Sequence, residues 1–323
     1  MPADFILFNS IFPWFFPLMA FLFGALTGSF LNVCILRIPL DQSIVSPGSH
    51  CACGRSIPWY HNLPILTWFI LRGRCFCAER RPYSFRYPAI EALTAILFLL
   101  TWLAFPPAVA LCGFIFISIL ICATFIDFDH MIIPDRFTIG GFLLGVLLAF
   151  IFPALHGREA EIPLLAHLQS GLVAIIGGLI GSAIILWIGI LGSALLRKEA
   201  MGFGDVKFIA AIGAFTGWQG AVFSIFGGAC IGLIGLALYR VYRLVRPAAK
   251  TSVPAPKVTP APVQESPSTG EDEDEVPEQA ISFGPMLAAG ALLYFLFLYP
   301  WVDAYFAENA AFIFGQTFGD PSW

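Results

Sequence analysis

Two short acidic motifs, far apart in the sequence, contain the residue types that could hydrolyse a bond. The first reads FIDFDHMIIPD and contains Asp127, Asp129 and Asp135. The second reads GFGDVK, in which Asp205 follows two glycines. When two carboxyls share one site they cannot both ionise easily, so one can activate water while the other protonates a leaving group. Together the motifs predict a hydrolase that uses a pair of aspartates.

Asp127 and Asp205 are the predicted pair because each lies at the end of an apolar run, at the same membrane depth. Gly202 and Gly204 would permit close approach of the backbone to a neighbouring helix. Lys207 could bias the charge of Asp205 or only anchor the helix end at the interface. The simpler alternative makes Asp205 a helix-terminal acid favoured by the helix dipole and Asp127 an ordinary interfacial residue.

The composition indicates the setting in which these acids must work. Of 323 residues, 58% are hydrophobic and only 12% are charged, about half the charged share of a soluble domain. The net charge of −4 is confined to residues 246–280, and no basic patch suggests a nucleic-acid partner. The chain is therefore predicted to be a polytopic membrane protein with an all-α fold.

Eight apolar segments are long enough, or nearly so, to cross a bilayer. We predict transmembrane helices at residues 14–36, 88–105, 108–126, 137–155, 170–196, 206–218, 219–242 and 281–302. If the N-terminus is extracytoplasmic, every Lys and Arg except Arg158 lies on the cytoplasmic side. Both termini are then extracytoplasmic.

The spans divide the chain into five parts. These are an N-terminus with the first helix, a cytoplasmic domain containing cysteines, a transmembrane peptidase core, a disordered acidic cytoplasmic linker, and the last helix with an extracytoplasmic tail. Their bounds are 1–36, 37–87, 88–246, 247–280 and 281–323. Within the spans, glycines recur at a spacing of four, which is typical of closely packed helices.

The flanking sequence resembles a known family. GxGD at residues 202–205, with an aspartate ending another helix, resembles the GxGD intramembrane aspartyl proteases. GSFLNVC at 28–34, RYPAIE at 86–91 and FGP at 283–285 resemble signatures of the type IV prepilin peptidases. The resemblance covers nearly the whole chain except the linker and the tail.

This resemblance implies a bifunctional enzyme of the bacterial cytoplasmic membrane, serving a type IV pilus or type II secretion. Such enzymes remove the basic leader of prepilins and pseudopilins on the cytoplasmic side, after a Gly, without a metal. Most then N-methylate the new N-terminus with S-adenosylmethionine. The catalytic pair maps to Asp127 and Asp205, with Asp129 and Asp135 supporting. We also expect Asp135 to cap the fourth helix.

Glu91 is the candidate residue for methyl transfer, because it is an acid inside a predicted transmembrane span. It could meet the substrate's new amine or the positive sulfonium of the methyl donor. A structural pair with a base is an equally good interpretation. The sequence has no glycine-rich fingerprint of a soluble cofactor-binding fold.

Four cysteines in the cytoplasmic loop predict a structural zinc site, since the cytosol disfavours disulfides. They are Cys51, Cys53, Cys75 and Cys77. The family usually has CxxC pairs, whereas both pairs here are CxC. His50 stands where the outer cysteine of the family falls, so it is an alternative ligand, and a metal-free loop is the other possibility. The loop's arginines could also contact anionic lipid.

Two other functions are compatible with parts of the sequence. A proton- or ion-coupled transporter could use Asp127, Asp205 and Glu91 as a relay, but such sites lie at the bilayer midplane and not at one interface. A homologue that only methylates or only binds pilins is disfavoured because both aspartates are intact. The peptidase remains the preferred hypothesis.

Overall fold

The computed structural model describes residues 3–48, 63–75, 82–158, 160–198, 201–245 and 282–318. Within these ranges the secondary structure is helical, apart from an isolated antiparallel bridge between Arg74 and Pro82. The helices are α1 Ala3–Ile11, α2 Phe15–Arg37, α3 Leu66–Ile70, α4 Arg86–Ala104, α5 Pro107–His130, α6 Asp135–Ile151, α7 Pro163–Leu196, α8 Phe203–Val245, α9 Gly284–Leu293 and α10 Tyr299–Phe318. The predicted all-α class is confirmed for the described residues.

Six helical segments in the described part of the chain are long and apolar enough to cross a membrane. They are Phe15–Leu40, Arg86–Ala104, Pro107–His130, Pro163–Leu196, Phe203–Tyr242 and Gly284–Asn309. The count is lower than eight for two reasons. The predicted fourth span coincides with α6, which has only 17 residues, and the predicted sixth and seventh spans both fall on α8.

The long helix α8 reverses direction at Gly217, which has φ +71° and ψ −179°. A Cβ atom built on Gly181 of α7 would lie 3.1 Å from Ile209 Cγ1 and 2.9 Å from Ala221 Cβ. In a straight helix these twelve residues would separate Ile209 from Ala221 by about 18 Å. α8 is therefore two antiparallel helices, 203–216 and 218–245, joined by a turn that needs glycine.

Several of the glycines that recur at a spacing of four lie where helices touch. A Cβ atom at Gly24 or at Gly28 of α2 would come within 2.7 Å of a Cα atom of α4. A Cβ atom at Gly177 of α7 would come within 2.8 Å of the Gly217 carbonyl carbon, and one at Gly228 of α8 within 2.6 Å of the Met286 oxygen in α9. Because lipid tails are as apolar as leucine, such close backbone contact supplies the packing that holds membrane helices together.

α5 is the most enclosed of the six candidate spans, with 72% of its apolar window buried. It packs against α2, α4, α6 and α9. Phe114 stacks on Phe98 of α4 at 4.2 Å between ring centroids, and Phe116 stacks on Phe215 of α8 at 4.8 Å. The central helix is thereby fixed on several sides, and it carries Asp127.

The predicted cysteine domain is described only in part. Cys75 is buried and its sulfur is disulfide-bonded. Cys51, Cys53, Cys77 and the alternative ligand His50 lie outside the described residues, as does the linker 247–280. Among the residues that the structure describes, no three potential ligands are grouped around a metal position.

Candidate active site

Asp127 lies in the last turn of α5, with only 6% of its surface exposed. The helix ends because Met131 adopts a positive φ of 54°, and the Met131 N–H donates to the Asp127 carbonyl oxygen at 3.0 Å. The chain then returns through residues 131–134 into α6. This turn keeps Asp127 at the end of a helix but inside the bundle.

Asp205 lies in the first turn of α8 and is 9% exposed. Its backbone N–H donates to the Gly202 oxygen at 3.2 Å. The expectation of close helix contact at the two glycines of the motif is wrong. A Cβ atom at Gly202 or at Gly204 would meet nothing nearer than 3.8 Å, which is an ordinary contact distance.

The structure brings the two predicted aspartates together. The carboxyls of Asp127 and Asp205 lie within electrostatic range of each other, although 77 residues of sequence separate them. Ile133 marks the junction: a Cβ atom at Gly204 would lie 3.8 Å from Ile133 Cβ, and one at Gly284 of α9 would lie 2.9 Å from Ile133 Cδ1. Three helix ends, of α5, α8 and α9, therefore meet at one point.

The contribution of α9 was missed by the sequence reasoning. The Ser282 hydroxyl donates to Asp127 Oδ2, and the Gly284 N–H donates to the same carboxyl. A Cβ atom at Gly284 would overlap with Asp127 Oδ2. The signal in the sequence was the FGP motif at 283–285. It resembles a signature of the family's last helix, but the sequence predicted no role for its residues.

Asp129 binds a base on another helix. Both its carboxylate oxygens accept hydrogen bonds from Arg86 at 2.7 Å. The same guanidinium donates to the Phe125 carbonyl at 3.2 Å and lies 4.9 Å from the centroid of the Phe125 ring. Arg86 at the start of α4 thus holds the last turn of α5 on both sides of Asp127.

Lys207 binds Asp135 and not Asp205, at 2.7 Å. This ion pair joins the start of α6 to the start of α8, and it holds the pKa of the Asp135 carboxyl below its usual value. The predicted helix cap is wrong. Asp135 is the first residue of α6, Pro134 occupies the capping position, and no side-chain cap bond forms.

Glu91 is half-buried on α4, where it joins three segments. It accepts a hydrogen bond from the Ile65 N–H at 2.7 Å and another from the Ser29 hydroxyl of α2. Arg86, the nearby base, is bound to Asp129 instead. No basic side chain pairs with Glu91 in the described part of the chain.

Comparison with known proteins finds two matching domains. Residues 22–105 match the bacterial peptidase A24 N-terminal domain, and residues 114–237 match the type IV leader peptidase family. The boundary between them falls at the connection from α4 to α5, so the Arg86–Asp129 ion pair joins the two matched regions.

Several curated proteins are similar over most of their length. A prepilin leader peptidase/N-methyltransferase of Myxococcus xanthus is 33% identical, over 94% of this chain and 97% of the relative. One of the same name from Aeromonas hydrophila is 33% identical, over 73% and 86%. A type 4 prepilin-like proteins leader peptide-processing enzyme of Escherichia coli is 35% identical, over 64% and 79%.

These relatives carry peptidase and methyltransferase names, so the alternative of an ion-coupled transporter is not favoured. No solved structure matches the chain significantly. The first relative is similar across almost the whole sequence, and the two domain matches together span both sides of the site. The chain therefore belongs to the type IV leader peptidase family.

Proposed function

We propose that this chain is an intramembrane aspartyl endopeptidase that removes the leader of type IV prepilins or pseudopilins after a Gly, on the cytoplasmic side. The observation that carries the proposal is the pair of buried carboxyls, Asp127 and Asp205, brought together by the end of α5 and the start of α8. The names of the relatives supply the substrate class. Asp129, Asp135 and Lys207 support the site through their ion pairs.

The reaction needs one ionised and one protonated carboxyl. The carboxylate takes a proton from water as the water oxygen attacks the carbonyl carbon of the scissile peptide. The protonated carboxyl gives its proton to the leaving nitrogen as the C–N bond breaks. The leader then ends in a new carboxyl group and the mature pilin begins with a free amine. The two aspartates have exchanged protonation states, and proton transfer through water restores them.

The membrane position of the site suits such a substrate. Asp205 lies twelve residues before the turn at Gly217, about 18 Å along the helix axis, whereas the hydrocarbon core is about 30 Å thick. If that turn lies at the opposite surface, the aspartates lie in the cytoplasmic half of the bilayer, about 12 Å below its cytoplasmic surface. A substrate whose basic leader joins an apolar helix would bring its junction to this depth by entering the helix bundle from the cytoplasmic side.

We extend the proposal to the topology. Six helices in the described part of the chain are long and apolar enough to cross a membrane, and the reversal at Gly217 together with the shorter helix α6 supports the prediction of eight spans. Eight crossings with both termini outside would put residues 37–87 and the linker 247–280 in the cytoplasm of a bacterium. The distribution of Lys and Arg supports this orientation in the inner membrane.

Leader release from a purified prepilin tests the peptidase. The full-length protein in detergent should cleave the substrate, while Asp127→Asn and Asp205→Asn should each leave it whole. Asp41→Asn is the matched control, because Asp41 is exposed and has φ +52°, which asparagine tolerates. Cleavage by either active-site variant would remove that residue from the proposal.

Methyl transfer is the second activity that we propose, on the basis of the relatives' names. S-adenosylmethionine, when bound, supplies an electrophilic methyl group to the new amine. Glu91 is the candidate contact, because a half-buried carboxylate without a basic partner among the described residues suits a sulfonium or an ammonium ion.

Binding of S-adenosylmethionine tests that role. Glu91→Gln should weaken binding at least tenfold while leader cleavage continues, whereas Glu161→Gln, at an exposed loop position, should bind as the wild type does. Unchanged binding in Glu91→Gln would leave Glu91 with only the structural role of joining α2, α4 and residue 65.

A structural zinc ion in the cysteine loop remains a proposal that depends on the sequence. Its support is the cluster of four cysteines in a cytoplasmic segment. Cys75, the one of these ligands that the structure describes, is disulfide-bonded there, so it would bind zinc only after reduction to the thiolate. Metal analysis of protein purified under reducing conditions should find zinc in the wild type and none in a Cys53→Ser, Cys75→Ser double variant. A wild type without zinc would end the proposal.

A further inference from the structure

We propose that the first turn of α9 is the third component of the peptidase centre and makes the two aspartates unequal. Ser282 and the backbone of Gly284 hold Asp127 as the base that activates water, which leaves Asp205 as the acid that protonates the leaving nitrogen. This inference rests on the proposed peptidase function and divides its two roles between the residues.

The donors around Asp127 are the first observation. The Ser282 hydroxyl donates to Oδ2 and the Gly284 N–H donates to the same carboxyl, from the residues that open α9. Hydrogen bonds donated to a carboxylate favour its charged form. The positive end of the helix dipole acts in the same direction. Asp127 therefore has a built environment for negative charge in an otherwise apolar bundle.

Asp205 has no such environment. In the described part of the chain no hydrogen bond is donated to its side chain, and its only charged neighbour is Asp127. A buried carboxyl without a donor, beside a carboxylate, is most stable when it holds a proton. The proton that the pair shares is thereby directed to Asp205 before the substrate reacts.

The other charged groups near the site do not reverse this asymmetry. Arg86 is bound to Asp129 and Lys207 is bound to Asp135, so both bases already have acidic partners. His130 lies at the end of α5 with an exposed side chain. The turn of α9 is left as the feature that distinguishes one aspartate from the other.

Each aspartate then has one role in the reaction. Asp127 takes the proton of the attacking water, and the new bond forms between the water oxygen and the carbonyl carbon. Asp205 gives its proton to the amide nitrogen, and the C–N bond breaks with its electron pair on that nitrogen. Ser282 does not touch the reacting atoms in this scheme. It is a positioning residue that acts through Asp127.

Removing the Ser282 hydroxyl tests the assignment. Ser282→Ala should lower kcat about 10-fold to 100-fold, the loss expected for one hydrogen bond to a charged group, with KM nearly unchanged. The acidic limb of the kcat profile should move to higher pH, because the base is then neutralised sooner. Ser282→Thr keeps a hydroxyl and should restore most of kcat. Ser118→Ala is the control: it removes a half-buried hydroxyl that bonds within α5.

The outcomes separate this inference from the peptidase proposal itself. If the wild type cleaves and Asp127→Asn does not, but Ser282→Ala keeps both its kcat and its pH profile, the role of α9 is refuted while the peptidase stands. If Ser282→Ala loses activity without a shifted acidic limb and Ser282→Thr does not recover it, Ser282 is only a packing residue. A folded wild type that never cleaves refutes both proposals.

Discussion

Gly284 and Asp127 are in contact across the junction of α9 and α5, with no space for a side chain at position 284. A Cβ atom there would overlap with Asp127 Oδ2 and would lie 2.9 Å from Ile133 Cδ1. The contact joins residues 157 positions apart in the sequence. It ties the last membrane span to the aspartate that we propose as the base.

Gly284→Ala should therefore damage catalysis more than stability. The added methyl group must displace either the carboxyl of Asp127 or the first turn of α9, and a displacement of 1 Å can reduce catalysis about 100-fold. We expect kcat for leader release to fall at least tenfold in a protein that still unfolds cooperatively. Gly235→Ala in α8, where nothing lies within 4 Å of an added Cβ, should behave as the wild type. An active Gly284→Ala would show that this contact is not required.

The ion pair between Arg86 and Asp129 should hold the last turn of α5 in place. Arg86→Gln should lower kcat several-fold and the free energy of unfolding by about 1 kcal/mol, the upper range for a partly exposed pair. Arg86→Lys should recover little, because an ammonium cannot make two parallel bonds to one carboxylate. In the double variant with Asp129→Asn, the second change should add almost nothing, whereas additive losses would refute the coupling.

Gly217 should be intolerant of substitution because the reversal of α8 depends on its backbone. With φ +71° and ψ −179°, the position is in a region that essentially only glycine occupies. Gly217→Ala should lower the free energy of unfolding by roughly 1–3 kcal/mol. Gly140→Ala in α6, where the nearest atom to an added Cβ is 3.8 Å away, should be neutral or slightly stabilising. Equal stability of the two variants would contradict the reversal.

His156 should make stability depend on pH on the side of the protein opposite to the aspartates. The side chain lies beside Gly217, its Nδ1 bonds to the Ser170 hydroxyl at 3.1 Å, and its buried Nε2 has no hydrogen-bond partner among the residues that the structure describes. Burial lowers the pKa of His156 to about 4. The unfolded chain binds a proton near pH 6.5 while the folded protein does not, so stability should fall as pH falls from 6.5 to 4.

The loss at pH 5 should be about 2 kcal/mol, and His156→Gln should remove it. Unfolding in detergent between pH 4.5 and 7.5 measures this slope. His130→Gln, at an exposed site, should keep the wild-type slope. A His156→Gln protein with an unchanged slope would show that His156 is protonated in the folded state as readily as in the unfolded chain.

The sequence alone determined the setting and the chemistry. Scarce charge and long apolar runs predict membrane helices, because each span must satisfy its own backbone hydrogen bonds. Placing an acid at the end of such a span costs free energy, so its presence there indicates a function. Asp127 and Asp205 could therefore be selected as candidates from the sequence alone. The flanking motifs indicated the family.

Only the tertiary structure decided which groups surround those acids. Lys207, only two residues after Asp205 in the sequence, binds Asp135, and Arg86 binds Asp129 instead of Glu91. Ser282 and Gly284 reach Asp127 from the other end of the chain. The hydropathy of a segment indicates that it forms a membrane helix, but it does not indicate how that helix is rotated and shifted against its neighbours. Close packing at glycines sets this rotation and register, which in turn determine the side chains that contact each carboxyl.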